Sequence, residues 1–515
     1  MRPTPRCIAP RRPVAIGSSA GGPCKPRRVP GASRTAMVLH IVGADHLQPH
    51  FLNRHGCPYT RELVRRHRDL AMTQGHLHRH LRLPDLVLAQ ILIVVGTNWF
   101  GAAATLGMLG VLFWPLALLL YHGPLAVVVM ALVRACPEEA GPYQWVKRAY
   151  GPRMGLFFGW ILCSFMLVFL AAGCLGLAGG LSYALKSVDV DLQQWPVVGT
   201  ALPFVFLALL TAFGWSGFRQ ARWVQNLAAV ALLLVLGLLG YRILQAGLLD
   251  TWPGFGMSVP TDSRTWISLL KILVFALSGL EFLALVAGEC ERPERTLPRA
   301  IQIAAPINIA IYMIGTFAVV LTIPLAAIDQ VNPVAQVLGS LGGVVATGVL
   351  WALLLRDFGQ NTLGLSGVSR LPMQVGLDGR LPAWFGRVNA RGVPTHAVLI
   401  CALIIAAILS VVTAGSDRQE AFQMLLSAAG IQFGLTYVLM FSLPVFASAA
   451  FGLAQSALLR VCALLGGSLA TVFVLISVYP IDSDPDPLRH AWRVLLIVLV
   501  LLLPGALLAF LPQRR

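Results

Sequence analysis

The chain has 515 residues, 57% hydrophobic and 12% charged, with a mean hydropathy of +0.74 and a formal net charge of +17 at pH 7. A soluble domain carries about a quarter charged residues, so this composition leaves too little polar surface for water and excludes a water-soluble globular protein. The positive charge does not characterise the whole chain: most of the excess lies before Leu83, where residues such as Arg2, Arg11, Arg28, Arg54, Arg66 and Arg82 face only Asp45, Glu62 and Asp69.

Residues 1–82 are expected to form a basic, disordered extension. Such a tail can touch anionic lipid or nucleic acid, but the reading adopted is a solvated segment with no nucleic-acid partner. Met72 is an alternative start, with the preceding residues an over-extended reading frame. No apolar h-region occurs in it, so no cleavable signal peptide is expected. His76, His78 and His80 close the tail; metal binding and simple solvation are both open to them. The nine cysteines show no CxxC pair, and no disulfide framework, metal or cofactor is expected.

A bilayer core about 30 Å thick needs roughly 20 apolar residues per helix. On that scale about twelve spans follow, near 85–105, 107–133, 154–184, 197–216, 223–244, 266–288, 300–325, 335–371, 395–414, 420–447, 455–479 and 490–511. Backbone amides in lipid must be satisfied within the segment, so the spans are helices. None shows the period of two that marks a barrel strand.

The loops alternate in charge. One set holds Arg134, Lys147, Arg148 and Arg153, then Arg219 and Arg222, Arg292, Arg295 and Arg299, Arg370, Arg380, Arg387 and Arg391, and last Arg514 and Arg515. The other holds Asp189, Asp191, Asp250, Asp262, Asp329, Asp417, Glu420, Asp482, Asp484 and Asp486. Basic loops stay cytoplasmic, which places both termini inside an inner membrane, as an even helix count requires.

Most spans read as packing; the informative places are breaks. The first span contains Gly96-Thr97-Asn98-Trp99-Phe100-Gly101, and the sixth Phe275-Ala276-Leu277-Ser278-Gly279-Leu280-Glu281. Small and polar residues in mid-span favour unwinding, tolerated in lipid only where freed backbone groups line a cavity or bind something. A small-residue cluster is alternatively a close-packing patch. The two breaks, however, open two five-helix halves at matching positions, as in paired discontinuous helices around a midplane site.

These residues also carry a family resemblance. Gly96-Thr97-Asn98-Trp99-Phe100 resembles the first-helix break of the amino acid/polyamine/organocation permeases. Pro137-Glu138-Glu139-Ala140-Gly141-Pro142-Tyr143, Ser278-Gly279-Leu280-Glu281 with Glu289 to Ala300, and Asp378 to Pro394 are similar to three further motifs of that family, in order. The resemblance implies an all-α membrane fold of the LeuT type. Repeat one would cover about 83–244, inverted repeat two about 266–447, and two extra helices about 455–511, giving a permease domain over 83–515. It implies secondary active transport of an amino acid or related amine by alternating access. Gly96, Thr97 and Asn98 would offer amides to a carboxylate, beside Trp99. Ala276, Leu277 and Ser278 would offer carbonyls to the amine next to Gly279, and Phe275 would be an aromatic gate.

Departures from the family bear on coupling. Asn98 stands where a glycine is usual, Leu232 where some relatives carry a lysine, and Ala131 near the place of an acidic residue; the loop after the tenth span is short. Phe113-Trp114-Pro115, Glu138-Glu139 and Gly392-Val393-Pro394 resemble bacterial glutamate/γ-aminobutyrate antiporters. Exchange is therefore the expected mode, with proton-coupled amino-acid or polyamine uptake as the rival.

Ionisable groups inside a membrane are costly and face a cavity or a partner. Glu281 is the preferred coupling residue, against a carboxylate simply held by neighbouring donors. Arg356, Asp357, Gln360 and Asn361 share the eighth span at i,i+4 spacing; substrate recognition and a structural ion pair are both open. His122 is either proton-responsive or a packing histidine, and Lys271 is expected to snorkel. Two other classes remain: a membrane sensor that no longer transports, and a serine hydrolase using Gly364-Leu365-Ser366-Gly367, for which His396 and His490 are poorly placed as bases. The oligomeric state is open between monomer and homodimer.

Overall fold

The computed structural model describes residues 81–510 except 187–189, 191–193, 217, 249–262, 329–331, 340, 415–417, 454–455 and 479–486. The basic extension through His80, Met72 and the histidines near it lie outside the described residues, as do most of the acidic loop residues. Leu81, expected to belong to the extension, is instead buried and pairs through its backbone with Glu289 and Glu291.

Helices dominate the described chain. In order they are α1 (Leu83–Val94), α2 (Asn98–Ala104), α3 (Met108–Ala135), α4 (Gly141–Tyr150), α5 (Pro152–Lys186), α6 (Pro196–Ser216), α7 (Phe218–Leu248) and α8 (Ser263–Ala276). A 3₁₀ segment, Leu280–Glu289, follows. Then come α9 (Pro293–Thr322), α10 (Pro333–Gly339), α11 (Gly343–Val368), α12 (Arg370–Leu377), α13 (Thr395–Ala414), α14 (Arg418–Phe446), α15 (Ala457–Ile476) and α16 (Pro487–Phe510). Ten spans among the described residues are long and apolar enough to cross a membrane, and the bent pair α1–α2 makes up to 11. The expected eighth span, 335–371, is divided: Gly342 at φ 108° separates α10 from α11. α11 has 26 residues, about 39 Å at 1.5 Å per residue, long enough for a bilayer core although it carries Arg356, Asp357, Gln360 and Asn361.

Local chemistry explains the boundaries. Proline opens α5 and α9, where its missing N–H costs nothing. Pro115 lies inside α3 and is followed by a π-helical turn at Leu118–His122, a distortion that turns Tyr121 and His122 toward the bundle interior. Leu119, Val197, Val344 and Phe446 are 71–90% exposed, an outward apolar face suited to lipid. The sixth span, Thr265–Glu289, is instead 83% buried and the last, Ala491–Phe510, 22%. The broken helix thus lies at the centre and the final helix at the rim. α9 packs on α1, α7 on α11, and α5 on both α11 and α14, which encloses the two breaks.

Candidate functional site: two helix breaks around one cavity

Both expected breaks occur. α1 ends at Val94 and α2 starts at Asn98, with 51° between them. α8 ends at Ala276, and Gly279 takes φ 105° before the 3₁₀ segment. That conformation is costly for any residue with a Cβ, and a Cβ here would also meet Ile93 Cγ2 at 3.1 Å.

Side chains from distant helices satisfy the freed backbone. Gln360 Nε2 donates to Ile93 O at 2.9 Å, and Arg356 Nη2 donates to Val95 O. The Tyr312 hydroxyl lies 2.8 Å from Val94 O and 3.0 Å from Ala276 O, and accepts from Gly96 N at 3.1 Å. One phenolic proton therefore serves two carbonyls, one from each broken helix. His122 Nδ1 lies 2.7 Å from Leu277 O, which assigns its proton to Nδ1. Gln90 Nε2 donates to Gly279 O at 3.1 Å, while Gly279 N donates to Tyr437 OH at 2.8 Å. The Tyr437 hydroxyl in turn donates to Glu281 Oε1 at 2.8 Å.

Between the breaks lies a cavity of roughly 160 Å³. Gly96, Asn98, Trp99, Phe275, Ser278 and Gly279 line it from the breaks; Arg356, Gln360 and Asn361 line it from α11. Phe165, Phe169 and Phe433 complete an aromatic wall, with Phe165 stacked on Phe433 at 4.1 Å and Phe275 touching both. Thr97, Ala276, Leu277, Glu281 and Asp357 are outside the lining. The Ala276 and Leu277 carbonyls already accept from Tyr312 and His122. Arg356 is buried and forms an ion pair with Asp357; Asn361 Nδ2 donates to Asp357 O rather than to its carboxylate. Leu232 is fully buried on α7.

Tyr312, Gln90, Tyr437 and Tyr121, whose hydroxyl lies 3.1 Å from Ser278 Oγ, are contributors that sequence reasoning missed. Their signal was a polar group in an otherwise apolar span, which does not say what it faces. Ser366 shows no nucleophile's setting: its hydroxyl donates to Thr362 O of its own helix at 2.9 Å, and His396 stacks edge-on with Trp384.

The loops of basic charge meet at one end. Arg370 pairs with Glu139 at 3.5 Å and with Glu289, Lys147 with Asp378 at 2.6 Å, and Arg148 Nε donates to Ala450 O at 2.9 Å. Burial pushes the Glu139 carboxyl up to about 8; Arg370 opposes the rise, Glu289 adds to it, and the Gly288 N–H opposes it.

Two discontinuous helices facing each other across a cavity in a bundle of apolar helices give the LeuT-type fold. The chain belongs to the amino acid permease family, whose model matches residues 81–514. It is 27% identical over 390 residues to a transporter of Legionella pneumophila, covering 72% of this chain and 81% of that one. It is 24% identical to the amino-acid permease RocE of Bacillus subtilis (69% and 78% covered) and 25% to L-asparagine permease 1 of Mycobacterium bovis (82% and 88%). Among solved structures it is similar to MhsT in complex with L-phenylalanine, with a TM-score of 0.54 at 16% identity over 78% of this chain and 99% of that one. It also resembles a manganese transporter of Eremococcus coleocola, with a TM-score of 0.53 at 14% identity over 85% and 93%. The relatives are permeases and transporters, and the protein is a non-enzymatic membrane transporter.

Proposed function

We propose that the protein exchanges one amino acid or related amine for another across the cytoplasmic membrane by alternating access, with both termini cytoplasmic. The observation that carries this reading is a cavity bounded by both helix breaks. The break's own amides at Thr97 and Asn98 suit a substrate carboxylate, and the Gly96 N–H joins them on leaving the Tyr312 hydroxyl; Trp99 N and Phe100 N already donate to Gly96 O and Thr97 O. The opposite break, from Phe275 to Gly279, receives the ammonium. Ser278 Oγ and whichever carbonyl lacks the Tyr312 proton are its acceptors. The aromatic wall excludes water while the substrate is bound.

Exchange is favoured over proton-driven uptake because the apolar Leu232 stands at the α7 position where some members of the family carry a lysine. Glu281 serves as the coupling carboxyl in the rival mode, although its bond from Tyr437 also suits a structural anchor. The test is counterflow in proteoliposomes: labelled amino acid should enter only when unlabelled substrate is loaded inside. Gly279→Leu and Asn98→Trp should abolish it while leaving inserted, monodisperse protein. Full counterflow in both variants would refute the site, and uptake into empty vesicles driven by a pH gradient would replace exchange with proton coupling. A panel of amino acids and amines screened for thermal stabilisation identifies the substrate.

A further inference from the structure

The last carbonyls of α1 form the negative end of a helix whose chain has unwound, so they have no intrahelical donors and attract positive charge. Three consecutive carbonyls are met by three tethered donors: Ile93 O by the Gln360 amide, Val94 O by the Tyr312 hydroxyl, and Val95 O by Arg356 Nη2. Only Arg356 carries a full charge, and its side chain is 6% exposed. A guanidinium is always charged, presents a rigid fork of donors and cannot dissociate. The fork spans two acceptors: Nη1 meets Asp357 Oδ1 while Nη2 crosses from α11 to the α1 break.

We infer that Arg356 is the resident counter-cation of the first helix break. From α11 it neutralises the carbonyl end of α1 and tethers the two helices with a charge that cannot dissociate. The inference rests on the transporter reading and deepens it. If the charge at the break never leaves, no inorganic ion need bind or unbind there during a cycle, and substrate occupancy is left as the trigger for rearrangement. Arg356 acts through the position of the Val95 carbonyl and is a positioning residue in this role.

The test uses purified full-length protein and two readouts. The melting temperature and counterflow of the parent should be equal in sodium, potassium and choline chloride. Arg356→Ala should lower both, with counterflow reduced on the order of tenfold or more, and guanidinium chloride at low millimolar concentration should restore part of each. Arg356→Lys, which keeps a charge but not the fork, should fall between. Arg356→Ala/Asp357→Asn separates this role from a simple ion pair: with no stranded carboxylate it should remain defective, because Val95 O is still uncapped.

A parent that melts higher or exchanges faster specifically in sodium would overturn the proposal. So would an Arg356→Ala protein equal to the parent, or full recovery in the double variant. Absence of counterflow in the parent under every salt would instead overturn the transporter reading, and the melting series would still report on Arg356.

Discussion

Tyr312 illustrates how much of the site hangs on single polar atoms. Its hydroxyl bonds both broken helices, through Val94 O, Gly96 N and Ala276 O. Tyr312→Phe keeps the ring stacked on Trp114 at 4.2 Å and removes only the oxygen. Each buried group left without a partner costs about 1–3 kcal/mol, so a lower melting temperature and at least about tenfold slower exchange are expected. A variant with unchanged counterflow would show that the bridge is dispensable. At the end where the basic loops meet, Glu139 supplies a pH signature. Its carboxyl, raised by burial from an ordinary 4.5 to about 8, binds its proton more tightly folded than unfolded. Stability therefore falls as pH rises between those two values. The parent melting temperature should drop across that window more steeply than that of Glu139→Gln, whose amide does not titrate; parallel curves would contradict the burial argument.

Close contacts between helices leave little freedom to change the packing that encloses the cavity. α7 approaches α11 at Gly359, where an added Cβ would lie 2.3 Å from Ala228 Cβ. Gly359→Val must push the two helices apart and shift Arg356 and Gln360, which lie on α11 within one turn. Overpacking of this kind costs about 1–3 kcal/mol. The expected result is a lowered melting temperature together with lost substrate-induced stabilisation; retention of both would mean that the contact yields without moving the site. Both breaks were legible in the sequence, because Gly96 and Gly279 act on their own backbone. The division of the eighth span was not: Gly342 takes φ 108° in an apolar stretch whose composition reads as continuous helix.

Sidedness belongs to the whole molecule. The proposed topology, argued from loop charge, has the Arg370–Glu139–Glu289 end cytoplasmic and α6 starting on the other side. In a background lacking the other reactive thiols, Arg391→Cys should be labelled by an impermeant maleimide only from the cytoplasmic face, and Val197→Cys only from the opposite face. Both positions are exposed. Reversed labelling would invert the topology. What the sequence by itself determined is the solvent and the local backbone. Too few charges for water make a membrane protein, apolar length makes spans, and glycines without a Cβ unwind two of them. What only the tertiary structure decided is which groups meet the unwound backbone. Tyr312 lies 216 residues from Gly96, Gln360 lies 267 from Ile93, and Tyr437 lies 158 from Gly279. Hydrogen bonds over such separations depend on how the helices pack, and a span's composition records that it holds a polar group but not what that group faces.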